Sequence, residues 1–361
     1  MRSGSLRILI LSPRILPQTT GNALTVERWR RLLTMQGITV ACLATEGLSR
    51  ERFRDALDRF SPHIVHCHHV LKAGRCFLDP GLARRYRDLP LVVSPAGTDV
   101  SEEATGEQRE AVLSVLRRAK VIVCQNDWLY SWLGQTEPCL LERTCRVSKS
   151  VLFHGNEPFD LRVSLGWPRN ATVFFLPAGI RPVKGNLMCL EALEGMHKEQ
   201  PGLRAVFAGP VLDEVYGRSF LDLMKRLDSF AAYLPYIPPQ AMGSAYASAD
   251  VILNTSQSEG LSNVVLESMA CGRPVLASNI PANRQPLGTD TPHEAAGLLF
   301  PPGDRDSFGR QALLLLNEPS LRENLGRNGA IRIERFFRPE METSGLLRAY
   351  DFALRDGPIH P

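Results

Sequence analysis

A chain of 361 residues suits two domains of about 150–200 residues each. With 44% apolar and 22% charged residues it has the composition of an ordinary folded protein, and no apolar run approaches the ~20 residues that a membrane helix needs. The net charge is only +4, but it is uneven: residues 1–165 hold 23 Lys/Arg against 17 Asp/Glu, the remainder 19 against 21. A basic first half suggests an anionic partner or a peripheral membrane surface; ordinary scatter would explain it equally well. Nucleic acid is not expected, because no binding motif accompanies the small excess. The eight cysteines form no C-x-x-C. With an opening that reads as a strand rather than a signal peptide, they predict reduced thiols and a cytoplasmic location.

Arg7 to Ser12 reads as a first buried strand, Pro13 to Asn22 as a loop and Ala23 to Gln36 as an amphipathic helix with Leu24, Trp29, Leu32 and Leu33 inward. Gly37 ends that helix and Ile38 to Ala41 is strand two. This βαβ start has no G-x-G-x-x-G and argues no dinucleotide. Arg50 to Phe60 is a charged helix. FSPHIVHCHH follows. Its His66, Cys67, His68 and His69 have ligand chemistry, but alternation puts them on opposite faces and no second cluster completes a site, so no metal is expected. Leu91 to Val93 is a strand leading into SPAGTDV. Glu103 to Ala119 is a helix, Val121 to Cys124 a strand, and Asp127 to Leu133 opens another helix. Val151 to Phe153 reads as the last strand of this half, and a linker is expected at about 155–170.

Thr172 to Pro177 opens the second half as a strand. The loop AGIRPVKGN carries two cations, Arg181 and Lys184, between that strand and a helix from Leu187 to Glu199. A guanidinium and an ammonium placed there suit a diphosphate, although a solvated basic loop would look the same. Leu203 to Gly209 and Ala232 to Ile237 are strands, and Met242 to Ala249 is a helix. The most informative stretch is DVILNTSQSEGLSNVVLESMACGRPVLAS, from Asp250 to Ser278. It reads as strand, tight loop, helix, strand, with Ser262 or Asn263 as the helix cap and Val264, Leu266, Met269 and Ala270 as its packing face. Glu259 precedes the helix and Glu267 lies within it. The N–H groups of Gly260, Leu261, Ser262 and Asn263 would favour an anion. An acid beside an anion site makes sense for a ligand that offers both phosphate and hydroxyl groups. The plainer reading is two solvated glutamates on a surface helix. Ser307 to Asn317, Pro319 to Asn328 and Glu340 to Arg355 read as closing helices.

Glu-x7-Glu followed by G-x-P-V-[LIV]-A resembles the nucleotide-sugar site of retaining glycosyltransferases of the GT-B fold, family 4. The resemblance implies an α/β architecture of two Rossmann-like domains with parallel sheets facing across a cleft. Residues 1–160 would be the acceptor domain, 170–338 the donor domain, and 339–361 a helix crossing back to the first. It implies that Glu259 faces the donor sugar, that Glu267 holds the ribose hydroxyls, and that the helix start holds the diphosphate. AGIRPVKGN resembles the family's G-R-L-x-P-x-K-G: Lys184 transfers directly, the family's first Arg falls on Gly179, and Arg181 matches a second one. SPAGTDV resembles the family's H-G-[TS]-D turn with Gly97, Thr98 and Asp99 in place, and Ala96 where the family has histidine. TTGNALTVERW resembles a subgroup that includes glycosyltransferase 1 domain-containing proteins and bacterial selenosugar synthases, which makes Gly21 and Asn22 candidates on the acceptor side. NIPANRQPLG resembles a loop of the family in which a glycine pair is replaced by Pro281-Ala282.

The activity implied is transfer of a sugar from a nucleoside-diphosphate sugar, UDP-sugar first, to an unidentified acceptor, for which the basic first half suggests an anion. No metal or cofactor is implied. A glycosidase would use paired acids but leaves the cationic loop unexplained. The same fold could also carry a nucleotide-sugar epimerase, which product analysis separates from a transferase, or a non-catalytic nucleotide-binding protein.

Overall fold

The structure is a computed structural model and describes residues 6–18, 20–101 and 103–355. Contacts divide the chain into two compact units. One runs to Ser150 and resumes at Pro339; the other is Val151–Arg338.

In the first unit the strands β1 (Arg7–Ser12), β2 (Thr39–Ala44), β3 (Ile64–His68), β4 (Leu91–Ser94), β5 (Val121–Cys124) and β6 (Thr144–Arg146) form a parallel sheet in the order β2-β1-β3-β4-β5-β6. Helices cover both faces, so the strands are apolar in continuous runs. Leu9, Leu11, Val65 and Cys67 pack on one face. Ile8, Ile10 and Ile64 pack on the other, under Trp29 and Tyr350. The structure departs from the sequence expectation at three places in this unit. The helix begins at Gly21, two residues early, because Thr20 caps it by accepting from the Ala23 N–H. The expected helix from Glu103 to Ala119 is a short turn at Glu103–Thr105 and then a helix at Arg109–Arg118; Gly106 between them is a poor helix former. The last strand is Thr144–Arg146, paired to β5, and not Val151 to Phe153.

Phe153 instead packs in the second unit, beside Tyr246. The expected linker at about 155–170 is also part of that unit. Asp160 caps a short helix, Leu161–Ser164, whose Leu161 is fully buried, and the Arg162 guanidinium bonds Asp250 and the carbonyls of Ala171 and Ser248. The second sheet contains β7 (Thr172–Pro177), β8 (Leu203–Ala208), β9 (Ala231–Leu234), β10 (Val251–Asn254), β11 (Val275–Ser278) and β12 (Gly297–Phe300), all parallel, in the order β12-β11-β10-β7-β8-β9. The strand order reverses between β7 and β10, and at such a point the loops leaving the carboxyl ends diverge and open a crevice. NIPANRQPLG, expected as a loop, contains the helix Pro281–Leu287, with Pro281 in its first turn, where no donor is missed.

The helix Pro339–Leu354 belongs to the first unit. It buries Leu346, Ala349, Tyr350 and Ala353 against the sheet and anchors its start through Glu342, which is fully buried. That carboxylate accepts from Arg28 Nε at 2.8 Å, Trp29 Nε1 at 2.7 Å, Gln125 Nε2 at 2.9 Å and both the N–H and hydroxyl of Ser150. Burial pushes its pKa up, but the Arg28 charge and the hydrogen bonds from Arg28, Ser150 and Trp29 outweigh that and hold it below its ordinary value. Among the described residues no helix is long and apolar enough to cross a membrane.

Glu342→Ala leaves Arg28 as a buried unpaired charge, so a loss of about 3–5 kcal/mol is expected. Thermal unfolding of the first unit should shift down by roughly 10 °C. The group's pKa is depressed in the folded state. Its contribution is therefore present above the unfolded carboxyl value of about 4.3 and is lost as pH falls through the folded value. Wild type and Glu342→Ala should converge in stability under acid; a gap that persists there would contradict the assignment.

Candidate functional site

The loops that leave β7 and β10 meet at the reversal point of the second sheet. After β7 the chain turns through Pro182–Lys184 and Gly185 into the helix Asn186–His197. Gly185 is at φ +65°, and a Cβ there would lie 2.6 Å from the Thr255 carbonyl oxygen. The close approach of the two loops therefore requires glycine. They are then tied together: Thr255 Oγ1 donates to the Lys184 carbonyl at 2.6 Å, and the Gln257 N–H donates to the Val183 carbonyl at 2.8 Å. Across this seam the Lys184 ammonium pairs with the Glu259 carboxylate, which also accepts from Ser256 Oγ at 2.8 Å. Both side chains are mostly shielded, Lys184 at 16% exposure and Glu259 at 18%, so the pair is screened less than a surface pair. Arg181 lies on the same loop. Its backbone N–H donates to Asn186 Oδ1 at 3.3 Å, while its Nε finds no hydrogen-bond partner among the described residues.

Ser262 caps the helix Asn263–Ala270 by accepting from the Val265 N–H, which starts the helix at Asn263. Gly260 and Leu261 form the approach. The packing face is Val265, Leu266, Ser268 and Met269. Val264 and Ala270, expected inward, are only partly buried, because the helix is rotated from the expected face. Glu267 accepts from Tyr246 Oη at 2.7 Å. Tyr246 is buried; burial first, and then the Glu267 charge, pushes its hydroxyl pKa well up, so it stays a donor.

Behind the loop lies a buried polar brace that sequence reasoning does not reach. Asn254 Nδ2 donates to Ser262 Oγ at 2.8 Å. Asn283 Nδ2 donates to the Ser278 carbonyl at 2.9 Å, and the Ser278 hydroxyl donates to the Ser256 carbonyl. The one sequence signal for it is the placement of Asn254 and Ser278 at the carboxyl ends of otherwise apolar strands.

In the first unit, Gly21 and Asn22 form the first turn of the helix Gly21–Met35. Gly97 is at φ +106°, and Thr98 begins the short helix Thr98–Ser101. Asp99 is fully buried. Its carboxylate collects the N–H groups of Val70 at 2.7 Å, Ala96 at 2.9 Å and Gly97 at 2.9 Å, so it is spent on holding the turn. The histidines separate as alternation predicts only as far as His68. His66 stacks on Trp29 with centroids 4.8 Å apart, and it bonds Tyr350 Oη and Ser94 Oγ. Burial brings its pKa down to about 3. His69 leaves the strand at φ +92° and caps the helix Val70–Gly74. At Gly179, where the family pattern places an arginine, a Cβ would meet Leu212 Cδ1 at 2.6 Å.

Comparison with known proteins agrees with this architecture. Residues 159–332 match the family described as glycosyl transferases group 1. A glycosyltransferase 1 domain-containing protein 1 of Xenopus tropicalis is 24% identical over 321 residues, covering 86% of this chain and 88% of that protein. A D-inositol 3-phosphate glycosyltransferase of Saccharomonospora viridis is 31% identical over 183 residues, and there the match spans 42% of the relative's length. Among solved structures, sucrose-phosphate synthase from Thermosynechococcus elongatus superposes with a TM-score of 0.80 at 18% identity, covering 96% of this chain and 98% of that one. Anabaena HepE in complex with UDP-glucose gives 0.74 at 17% identity, covering 96% and 99%. The fold is GT-B. Over residues 159–332, just under half of the chain, the protein is similar to the group 1 glycosyltransferases.

Gly185→Ala is expected to force the two loops apart, with a cost of about 1–3 kcal/mol from the strained φ and the contact with Thr255. The Lys184–Glu259 pair should open with it. The check is the unfolding midpoint of the second unit together with nucleotide affinity; a protein unchanged in both would contradict the seam.

Proposed function

We propose that the protein is a retaining glycosyltransferase that moves a sugar from a nucleoside-diphosphate sugar, most simply a UDP-sugar, to an acceptor, without a metal ion. The observation that carries this reading is the Lys184–Glu259 pair, with Arg181 on the same loop and the helix Asn263–Ala270 starting just after Glu259, at the point where the strand order reverses. As a glycosidic bond to a diphosphate breaks, negative charge grows on the leaving oxygens. An ammonium, a guanidinium whose Nε has no protein acceptor among the described residues and a helix N-terminus oppose that charge where it develops. These groups supply the positive charge that a metal would otherwise provide.

Glu259 then has two roles. It holds the Lys184 ammonium in place, and it presents carboxylate oxygens to the sugar hydroxyls. A lysine carries three N–H donors, so Lys184 can keep Glu259 while donating to phosphate. Glu267, oriented by Tyr246 Oη, is assigned to the ribose hydroxyls. Gly260, Leu261, Ser262 and Asn263 supply backbone donors. The neighbouring folds were solved with UDP-glucose in Anabaena HepE and with ADP in Arabidopsis starch synthase IV, which supports a nucleotide diphosphate and leaves the base to experiment. A cytoplasmic setting fits the eight free cysteines; burial raises the thiols of Cys42, Cys76 and Cys271 to about 12, and so keeps them unreactive.

UDP at ~100 times its dissociation constant should add about 2.7 kcal/mol to the second unit, and GDP and ADP tested alongside identify the base. With a donor that turns over, Lys184→Ala should lower kcat by about 10²–10³, and Glu259→Gln should lower it similarly at little cost in UDP affinity. The anomeric configuration of the product, read by NMR, decides retention. Full turnover by Lys184→Ala would overturn the leaving-group assignment.

A further inference from the structure

Asn186 opens the helix Asn186–His197. Cys189 and Leu190, three and four residues further on, are fully buried, and so is Asn186. Its amide therefore starts the stripe of the helix that faces the core. A buried amide is costly unless its groups are bonded, and this one is bonded at one end only. Asn186 Oδ1 accepts from the Arg181 N–H at 3.3 Å, while Nδ2 has no hydrogen-bond partner among the described residues. The bond to Arg181 fixes which end of the amide is which, because only the oxygen accepts. An apolar side chain of similar shape would cost the fold little here, so a buried amide with one idle end needs a reason. That reason lies in what Oδ1 holds.

It holds one end of the loop that carries the two cations. The Lys184 end is clamped from outside: Thr255 Oγ1 donates to the Lys184 carbonyl, the Gln257 N–H donates to the Val183 carbonyl, and Glu259 pairs with the ammonium. Among the described residues that neighbouring loop makes no hydrogen bond to Arg181. Upstream, the Ile180 N–H donates to the Pro210 carbonyl at 2.8 Å, and the Ile180 carbonyl accepts from the Leu212 N–H at 3.0 Å; that bridge stops one residue short of Arg181. Within the loop the Lys184 N–H donates to the Arg181 carbonyl at 3.0 Å, and the bond from the Arg181 N–H to Asn186 closes the ring on the other side. With that bond gone, the Arg181 backbone is free to turn between its two neighbours. A long side chain magnifies a small backbone rotation at its guanidinium.

We propose that Asn186 is a positioning residue for Arg181: Oδ1 sets the Arg181 backbone, and the backbone aims the guanidinium. Resting on the transferase reading, Asn186 acts on the leaving diphosphate through Arg181 alone. Its full burial keeps it from touching the ligand, and its idle Nδ2 is what the chain gives up in stability to keep an acceptor at this point.

The test is calorimetric titration of UDP, GDP and ADP into the full-length wild type, with the one that binds best carried through the variants. Asn186→Leu should weaken it about fivefold, as for loss of one hydrogen bond, while the unfolding midpoint stays within about 2 °C of the wild type or rises. In an Arg181→Ala background the same substitution should change affinity less than twofold, the mark of a residue that acts through Arg181. Asn186→Ala is measured alongside, and decides alone if Asn186→Leu does not fold. Unchanged affinity in the single variants overturns the inference. So does a midpoint that falls together with the affinity, which is what a merely structural residue gives, and so does a fivefold effect that persists without Arg181. In those cases the wild type still binds its nucleotide and the donor reading stands. If none of the three nucleotides binds the wild type, the donor reading falls and the role of Asn186 falls with it.

Discussion

The second unit depends on one constraint: the loop after β10 must cross the crevice without collapsing into it. A loop from Asn254 to Ser262 with this many polar groups and little side-chain bulk would ordinarily be mobile. Here it is pinned from below. Asn254 holds Ser262, Ser278 holds the Ser256 carbonyl, and Asn283 holds the Ser278 carbonyl. All are buried, so each bond acts in a low-dielectric setting where leaving it unmade is costly. Thr255 and Gln257 fasten the same loop sideways to the loop after β7. The position of Glu259 follows from this bracing.

A different solution holds the first unit together. Its last element, the helix Pro339–Leu354, is separated in sequence from the sheet it covers by the whole second unit. Apolar burial fixes its face but not its axial register, because Leu346, Ala349 and Ala353 could slide along a smooth surface. The buried Glu342 supplies the register: a carboxylate that collects donors from Arg28, Trp29, Gln125 and Ser150 has one acceptable depth. The Tyr350 hydroxyl, bonded to His66 on the sheet, marks the same register about two turns further along the helix.

Sequence makes the site legible and leaves much of its support invisible. The Ser262 cap follows short-range capping rules, Lys184 stands out as a loop cation, and Glu259 stands out through the spaced Glu pair and the resemblance it carries, so the local stretch is enough to single them out. Tyr246 cannot be seen that way, because its partner Glu267 is 21 residues away in sequence; nor can the reach of Asn283 Nδ2 to Asn254 Oδ1 at 3.4 Å, across 29 residues, which only the sheet order brings together. The strand Thr144–Arg146 escapes for a related reason: Thr-Cys-Arg has no apolar run, and it is a strand only because it hydrogen-bonds to the edge of β5. The pattern of its turn makes Asp99 look like a residue facing ligand; its oxygens instead serve three backbone N–H groups, a use that no sequence pattern distinguishes from binding.

In the proposed reading, the pairing of Lys184 with Glu259 bears on how a cationic loop keeps its shape when no phosphate is bound. Arg181, Lys184 and a helix N-terminus together make a field that repels itself when no phosphate is bound. Glu259 supplies the compensating charge within the same seam, so the site keeps its geometry between ligands and little rearrangement is left for the moment of binding. In the proposed reading the same carboxylate also limits affinity, because it competes with phosphate for the ammonium. For a transferase that balance is favourable: a site that bound the ground-state diphosphate with all its charge unopposed would hold donor and product alike, whereas one partly satisfied by Glu259 gains most where the leaving group becomes most negative.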